Sequence, residues 1–107
     1  HEVRLWARDP AQAAAIAAAH CNARYLPEVA LPTSLALEPD LAAALAHGRD
    51  LTVIATPMAA LRGLLRALPP GRPALWLCKG FEQGSGLLGH EIARAERPGE
   101  ACGVLSG

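Results

Sequence analysis

Aromatic side chains are scarce in this 107-residue chain, at 4%, and neither sign of charge prevails, because ten lysines and arginines are matched by ten aspartates and glutamates. A chain with no basic or acidic excess has no electrostatic footprint for nucleic acid or acidic lipid, so a polyanion-binding role is not expected. No apolar run approaches the roughly 20 residues that a membrane-spanning helix requires, and a soluble protein is expected. The three cysteines, Cys21, Cys78 and Cys102, are widely separated and form no CxxC pair. That spacing argues against a disulfide framework and a zinc site, and points to reduced thiols in a cytoplasmic protein. His1, His20, His47 and His90 lack metal-ligand spacing, so surface or helix-end positions are their default and no metal is expected. No methionine or signal-peptide stretch opens the sequence at His1, and an upstream segment is therefore expected.

What the chain does contain is 51% hydrophobic residues, mostly alanine and leucine, enough for the core of one small domain or part of a larger one. Glu2 to Ala7 reads as a short buried strand, stopped by Arg8-Asp9-Pro10. Asp9 can cap a following helix whose first position suits Pro10, since its missing N–H would have no partner there. Pro10 to His20 is almost all alanine, a strong helix former with little to bury, so it is expected to pack closely on a sheet or cover its edge.

Asn22 to Pro39 holds Pro27, Pro32 and Pro39 and predicts a structured connection with one brief strand near Leu35 to Leu37. Asp40 to His47 predicts a short helix ended at Gly48, and Leu51 to Ala55 an apolar strand covered on both faces. Leu61, Leu64, Leu65 and Leu68 recur at helical spacing before Pro69-Pro70-Gly71. Strands then follow at Ala74 to Cys78 and Ala101 to Leu105, separated by a glycine-rich connection and a helix over Leu87 to Ala95. Trp6 and Trp76 fall within strands and are assigned to core packing.

Strands alternating with helices imply parallel pairing and a doubly wound α/β sheet. In such sheets ligands lie outside the carboxyl ends of the strands. The informative positions are therefore Arg8, Thr56-Pro57, Lys79-Gly80 and Ser106-Gly107.

HEVRLWARDP, Cys21-Asn22-Ala23-Arg24-Tyr25-Leu26-Pro27, Ala55-Thr56-Pro57, Lys79-Gly80-Phe81-Glu82 and Val104-Leu105-Ser106-Gly107, in this order and spacing, resemble bacterial NAD(P)-dependent glycerol-3-phosphate dehydrogenases. The resemblance spans essentially the whole chain. It implies that residues 1–107 are part of a Rossmann-type NAD(P)-binding domain. The sheet would be incomplete, because the family's first strand and G-x-G-x-x-G turn would lie before His1. The family's second, helical domain, which carries the proton-acceptor lysine, would lie beyond Gly107. The implied reaction interconverts glycerol 3-phosphate and dihydroxyacetone phosphate by hydride transfer, supplying phospholipid synthesis, with NADP or NAD as cofactor. The implied protein is cytoplasmic and, at full length, a possible homodimer.

The resemblance also distributes roles. Arg8 stands where NADP users place a basic side chain near the ribose, and would contact the adenosine end; the alternative is an exposed arginine before a helix. Tyr25 either lies against the cofactor or folds back onto the sheet edge, while Arg24 is read as solvated. Lys79 would contact cofactor and substrate and stabilise charge developing on oxygen. Its alternative is a partner for Glu82 or for a helix-end carbonyl. Gly80 would let the backbone turn close to the ligand. Gly107 would offer a backbone contact to the substrate, and Thr56-Pro57 either borders the cofactor or forms a plain turn. Two rival readings are a related reductase of the 6-phosphogluconate dehydrogenase-like fold group, such as ketopantoate reductase, and a non-catalytic remnant acting as an interaction module. The combination of NARYLP with K-G-x-E argues against the first. Against the second stands the loss of a central strand, which would leave inner strands with unpaired backbone groups.

Overall fold

The computed structural model describes residues 2–22, 26–32 and 34–105, and of residues 26 and 27 the backbone alone. Two compact units divide the chain, His1–His47 and Gly48–Gly107.

In the first unit, β1 (Arg4–Leu5) leads into α1 (Pro10–Ala19), and β4 (Ala36–Leu37) returns parallel to β1. The start of α1 is the one the sequence predicts. Asp9 is in extended conformation, its Oδ1 accepts the Ala11 N–H at 3.0 Å, and Pro10 occupies the first turn. At the other end His20 takes a left-handed conformation, φ 49°, and returns its N–H to the Ile16 carbonyl. Ala13 and Ile16 are the residues α1 buries. A last helix, α2 (Leu41–His47), begins at Asp40, whose Oδ2 accepts the Ala43 N–H at 3.2 Å.

Two expectations for this unit need correction. The strand expected over Glu2 to Ala7 is only two residues long and is exposed, with Leu5 38% accessible; Trp6 lies just past its end, half-buried. β1 has one hydrogen-bonded neighbour among the described residues, and a strand flanked on a single side has little to bury against. The connection predicted as mostly irregular contains an antiparallel hairpin, β2 (Cys21–Asn22) with β3 (Leu26–Ala30), whose register shifts between Cys21 and Asn22. Pro27 is compatible with β3 because an edge strand needs ladder donors on one side only.

The second unit is a three-stranded parallel sheet in the order β5 (Thr52–Ile54), β6 (Ala74–Trp76), β7 (Cys102–Val104). Its crossovers are α3 (Met58–Ala67) and α4 (Gly89–Glu96). The register aligns Thr52, Ala74 and Cys102 on one rung, Val53, Leu75 and Gly103 on the next, and Ile54, Trp76 and Val104 on the last. The two helices share one face of the sheet. There Leu61, Leu65 and Ile92 are fully enclosed and Trp76 is 2% accessible. The other face stays open: Leu51, Val53 and Leu77 are exposed, with Val53 at 52%. The expectation of a strand covered on both faces therefore fails for β5, since continuous apolar composition cannot by itself provide the second layer.

Polar ties complete this unit. Arg97, just past α4, is buried and donates to four carbonyl oxygens, of Leu65, Leu68, Pro69 and Arg72, at 2.7 to 3.2 Å. These include carbonyls that the end of α3 leaves without an intrahelical donor. Glu91 accepts the Leu88 N–H at 3.0 Å at the start of α4. Among the described residues no helix is long and apolar enough to cross a membrane.

Candidate functional site

Parallel strands set their tips side by side, so the shared register of β5 and β6 brings Thr56 and Cys78 next to each other just beyond the last rung. Thr56 Oγ1 lies 3.8 Å from the Sγ of the buried Cys78, and the Leu77 N–H donates to the Ile54 carbonyl at 2.9 Å. Lys79 follows directly and is exposed. It makes no hydrogen bond or ion pair with any described residue. Gly80, at φ +90°, then turns the chain through a region that side-chain-bearing residues rarely adopt.

The segment after Gly80 is closed and anchored. The Glu82 N–H donates to the Leu87 carbonyl at 2.8 Å, the Gly86 N–H to the Glu82 carbonyl at 2.9 Å, and Phe81 bridges Leu88. The Glu82 carboxylate accepts Arg62 Nε at 2.9 and 3.2 Å, an Arg62 terminal nitrogen at 2.9 Å, and the Ser85 hydroxyl at 2.6 Å. Hydrogen bonds from Arg62, then from Ser85, hold its pKa down at about 2. One helical turn along α3, Arg66 pairs with Glu96 at 2.8 Å, and Arg62 reaches the same carboxylate at 3.6 Å. These contacts keep Glu96 below the usual carboxylate range, chiefly through the Arg66 hydrogen bond.

The four candidates from the sequence fare differently. Lys79 sits at a strand tip, and Glu82, its alternative partner, is taken by Arg62 and Ser85. Its exposure removes desolvation as a reason to expect a ligand there, and among the described residues the ammonium has no partner. Arg8, in the first unit, lies between β1 and α1, exposed and without a described partner. Tyr25 and Gly107 lie outside the described residues, as do Arg24 and Ser106. A groove of about 270 Å³ lined by Trp76, His90, Arg94, Arg97 and Cys102 opens at the amino end of β7, and neither Lys79 nor Arg8 is among its described lining residues.

Arg62 was not among the sequence candidates. Its spacing of four from Arg66 signals a basic stripe beside the leucine face of α3, but spacing does not say which carboxylates meet it.

Comparison with known proteins gives consistent matches. The family model described as NAD-dependent glycerol-3-phosphate dehydrogenase N-terminus matches residues 1–107. Proteins named glycerol-3-phosphate dehydrogenase (NAD(P)+) from Leptothrix cholodnii and Methylibium petroleiphilum are each 56% identical to the chain over its whole length. The chain spans about a third of the length of these curated relatives, 35% and 33%. A crystal structure of glycerol-3-phosphate dehydrogenase from Coxiella burnetii superposes with a TM-score of 0.86 at 29% identity, covering 99% of this chain and 33% of that one. The yeast glycerol-3-phosphate dehydrogenase superposes at 0.74 with 28% identity, over 98% of this chain and 32% of that one. The doubly wound α/β sheet expected from the alternation of strands and helices, and the Rossmann type implied by the resemblance, agree with these superpositions.

Proposed function

Because the chain belongs to the NAD-dependent glycerol-3-phosphate dehydrogenase N-terminal family, we propose that it holds the nicotinamide nucleotide, and part of the substrate site, of an enzyme interconverting sn-glycerol 3-phosphate and dihydroxyacetone phosphate. The observation that carries this reading is Lys79: an exposed ammonium at the tip of a parallel strand, without a partner among the described residues while the neighbouring carboxylate is occupied. Relatives named as NAD(P)+-dependent support NAD or NADP as the cofactor. The family match favours this reading over a ketopantoate reductase.

The residues present fit such a nucleotide. Arg8 offers an exposed guanidinium with no described partner, suited to bidentate pairing with a ribose 2′-phosphate. When bound, the nicotinamide supplies the hydride. Lys79 orients the triose phosphate and steadies negative charge as it develops on the carbonyl oxygen during reduction. Gly80 gives the backbone after Lys79 the freedom to pass close to the ligand. Tyr25 and Gly107 are assigned cofactor and substrate contacts respectively on the family pattern. Residues 1–107 would act with a helical domain that carries the proton-acceptor lysine, in a cytoplasmic homodimer.

Steady-state kinetics of the full-length protein carrying this segment test the proposal. Lys79→Ala is expected to lower turnover and substrate affinity with the fold retained by circular dichroism. Near-normal kinetics would relegate Lys79 to the surface. Arg8→Asp is expected to weaken NADPH far more than NADH, and equal changes in the two Michaelis constants would remove Arg8 from the 2′-phosphate.

A further inference from the structure

A lysine at the mouth of a site is useful to an anion only if no carboxylate of the same chain claims it first. Glu82 is the first acidic residue after Lys79, three positions along, and the next one is Glu91. An ammonium and a carboxylate so close in a loop are ready to pair, and the pair would compete with any phosphorylated ligand.

In the observed arrangement that pairing is absent, and the carboxylate is held elsewhere. Arg62 holds the Glu82 carboxylate through Nε and a terminal nitrogen at 2.9 Å each, and Ser85 adds a donor at 2.6 Å. The Ser85 hydroxyl also accepts the Leu87 N–H at 3.2 Å, so the carboxylate is fastened both to α3 and to its own loop. The planar fork of arginine satisfies a carboxylate in one fixed orientation, which an ammonium does not. Lys79 is left with no described partner.

We infer that Arg62 is a positioning residue for Lys79: by sequestering Glu82 on α3, it keeps that carboxylate off the Lys79 ammonium and leaves the ammonium for the phosphorylated substrate. This rests on the reading of Lys79 as a ligand contact. Arg62 touches neither substrate nor nucleotide in this role. Its effect falls on substrate affinity more than on the hydride step, because what it governs is a competition for the ammonium in the unliganded state.

The test is a double-variant cycle in the full-length protein, with KM for dihydroxyacetone phosphate and kcat measured separately and each fold checked by thermal melting. Arg62→Met releases an unpaired Glu82 and is expected to raise KM about tenfold with a smaller change in kcat. Glu82→Gln alone removes the competitor together with the clamp, and KM should stay within about twofold of the parent. Arg62→Met with Glu82→Gln should return KM to near the Glu82→Gln value, a rescue that a purely structural clamp would not give. Arg62→Lys, which keeps the charge and loses the fork, should fall between the parent and Arg62→Met.

A double variant as impaired as Arg62→Met, or an Arg62→Met with unchanged KM, overturns the inference. Should Arg62→Met fail to fold, Glu82→Gln decides: a rise in KM matching that of Lys79→Ala overturns it equally. Lys79→Ala, run alongside, separates the two levels. Normal kinetics there sink the ligand reading itself, whereas an impaired Lys79→Ala with no rescue in the cycle sinks only the role of Arg62.

Discussion

Helices α1 and α3 are both ten residues long and both start beside a proline, yet they are held in place by different means. α1 is nearly all alanine, buries only Ala13 and Ile16, and depends on intrinsic propensity, the Asp9 cap and the turn at His20. α3 buries Leu61 and Leu65 against the sheet, has Leu68 buried just beyond its end, and is tied outward through Arg62, Arg66 and the guanidinium of Arg97. The contrast separates a helix stabilised mostly by local chemistry from one stabilised by its neighbours. It also places the well-packed, cross-linked α3 in the same unit as Lys79, the residue proposed to meet the substrate.

The sharpest way to break this contrast is to empty the α3 core. Leu61 is 0% accessible, and Leu61→Ala is expected to cost about 2–5 kcal/mol through lost burial and a residual cavity. The check is the urea midpoint of the intact protein; a shift no larger than a surface substitution gives would mean that α3 is not held by its core. Next comes Gly89, where an added Cβ would meet the Trp76 indole nitrogen at 2.5 Å. Because that indole is enclosed, Gly89→Ala should cost roughly 1–3 kcal/mol by overpacking, accompanied by a change in tryptophan fluorescence.

For α1 the expected effect is smaller and lies at its end. Asp9→Ala should cost about 1 kcal/mol, seen as a modest lowering of the melting temperature, with Asp9→Asn retaining most of the capping. A loss comparable to that of Leu61→Ala would show that α1 is not the locally held helix described above.

The smallest effect is one of pH. Glu82 titrates at about 2 when folded against an ordinary 4.5, so the unfolded chain takes up its proton first as pH falls. Its stabilising contribution is therefore complete above about 4.5 and is lost as pH descends toward 2. Arg62→Met should flatten that part of the acid-denaturation curve, and an unchanged slope would show that the clamp does not set the Glu82 titration.

Much of the architecture is legible along the chain. The Asp9-Pro10 start, the break at Gly48, the leucine spacing of α3 and the strand beginning at Ala74, expected to reach Cys78 and observed to Trp76, all appear where local chemistry predicts them. The β2–β3 hairpin is missed because Pro27 reads as a breaker until its position in an edge ribbon is known. The open face at Val53 is missed for a related reason: an apolar run specifies which residues prefer burial, and it does not specify how many layers are present to bury them.

Lys79 could be singled out from its place after a strand, but the occupation of Glu82 by an arginine twenty residues earlier could not. The sequence by itself determined the alternation of strands and helices, the helix ends and the positions at which strand tips fall, because these follow from backbone preferences and side-chain periodicity over a few residues. Tertiary structure alone decided which carboxylates Arg62 and Arg66 take, which sheet face is covered and that Lys79 has no partner among the described residues. Those outcomes turn on distances between segments far apart in the chain, and charge attracts without regard to sequence separation until the fold has set the distances.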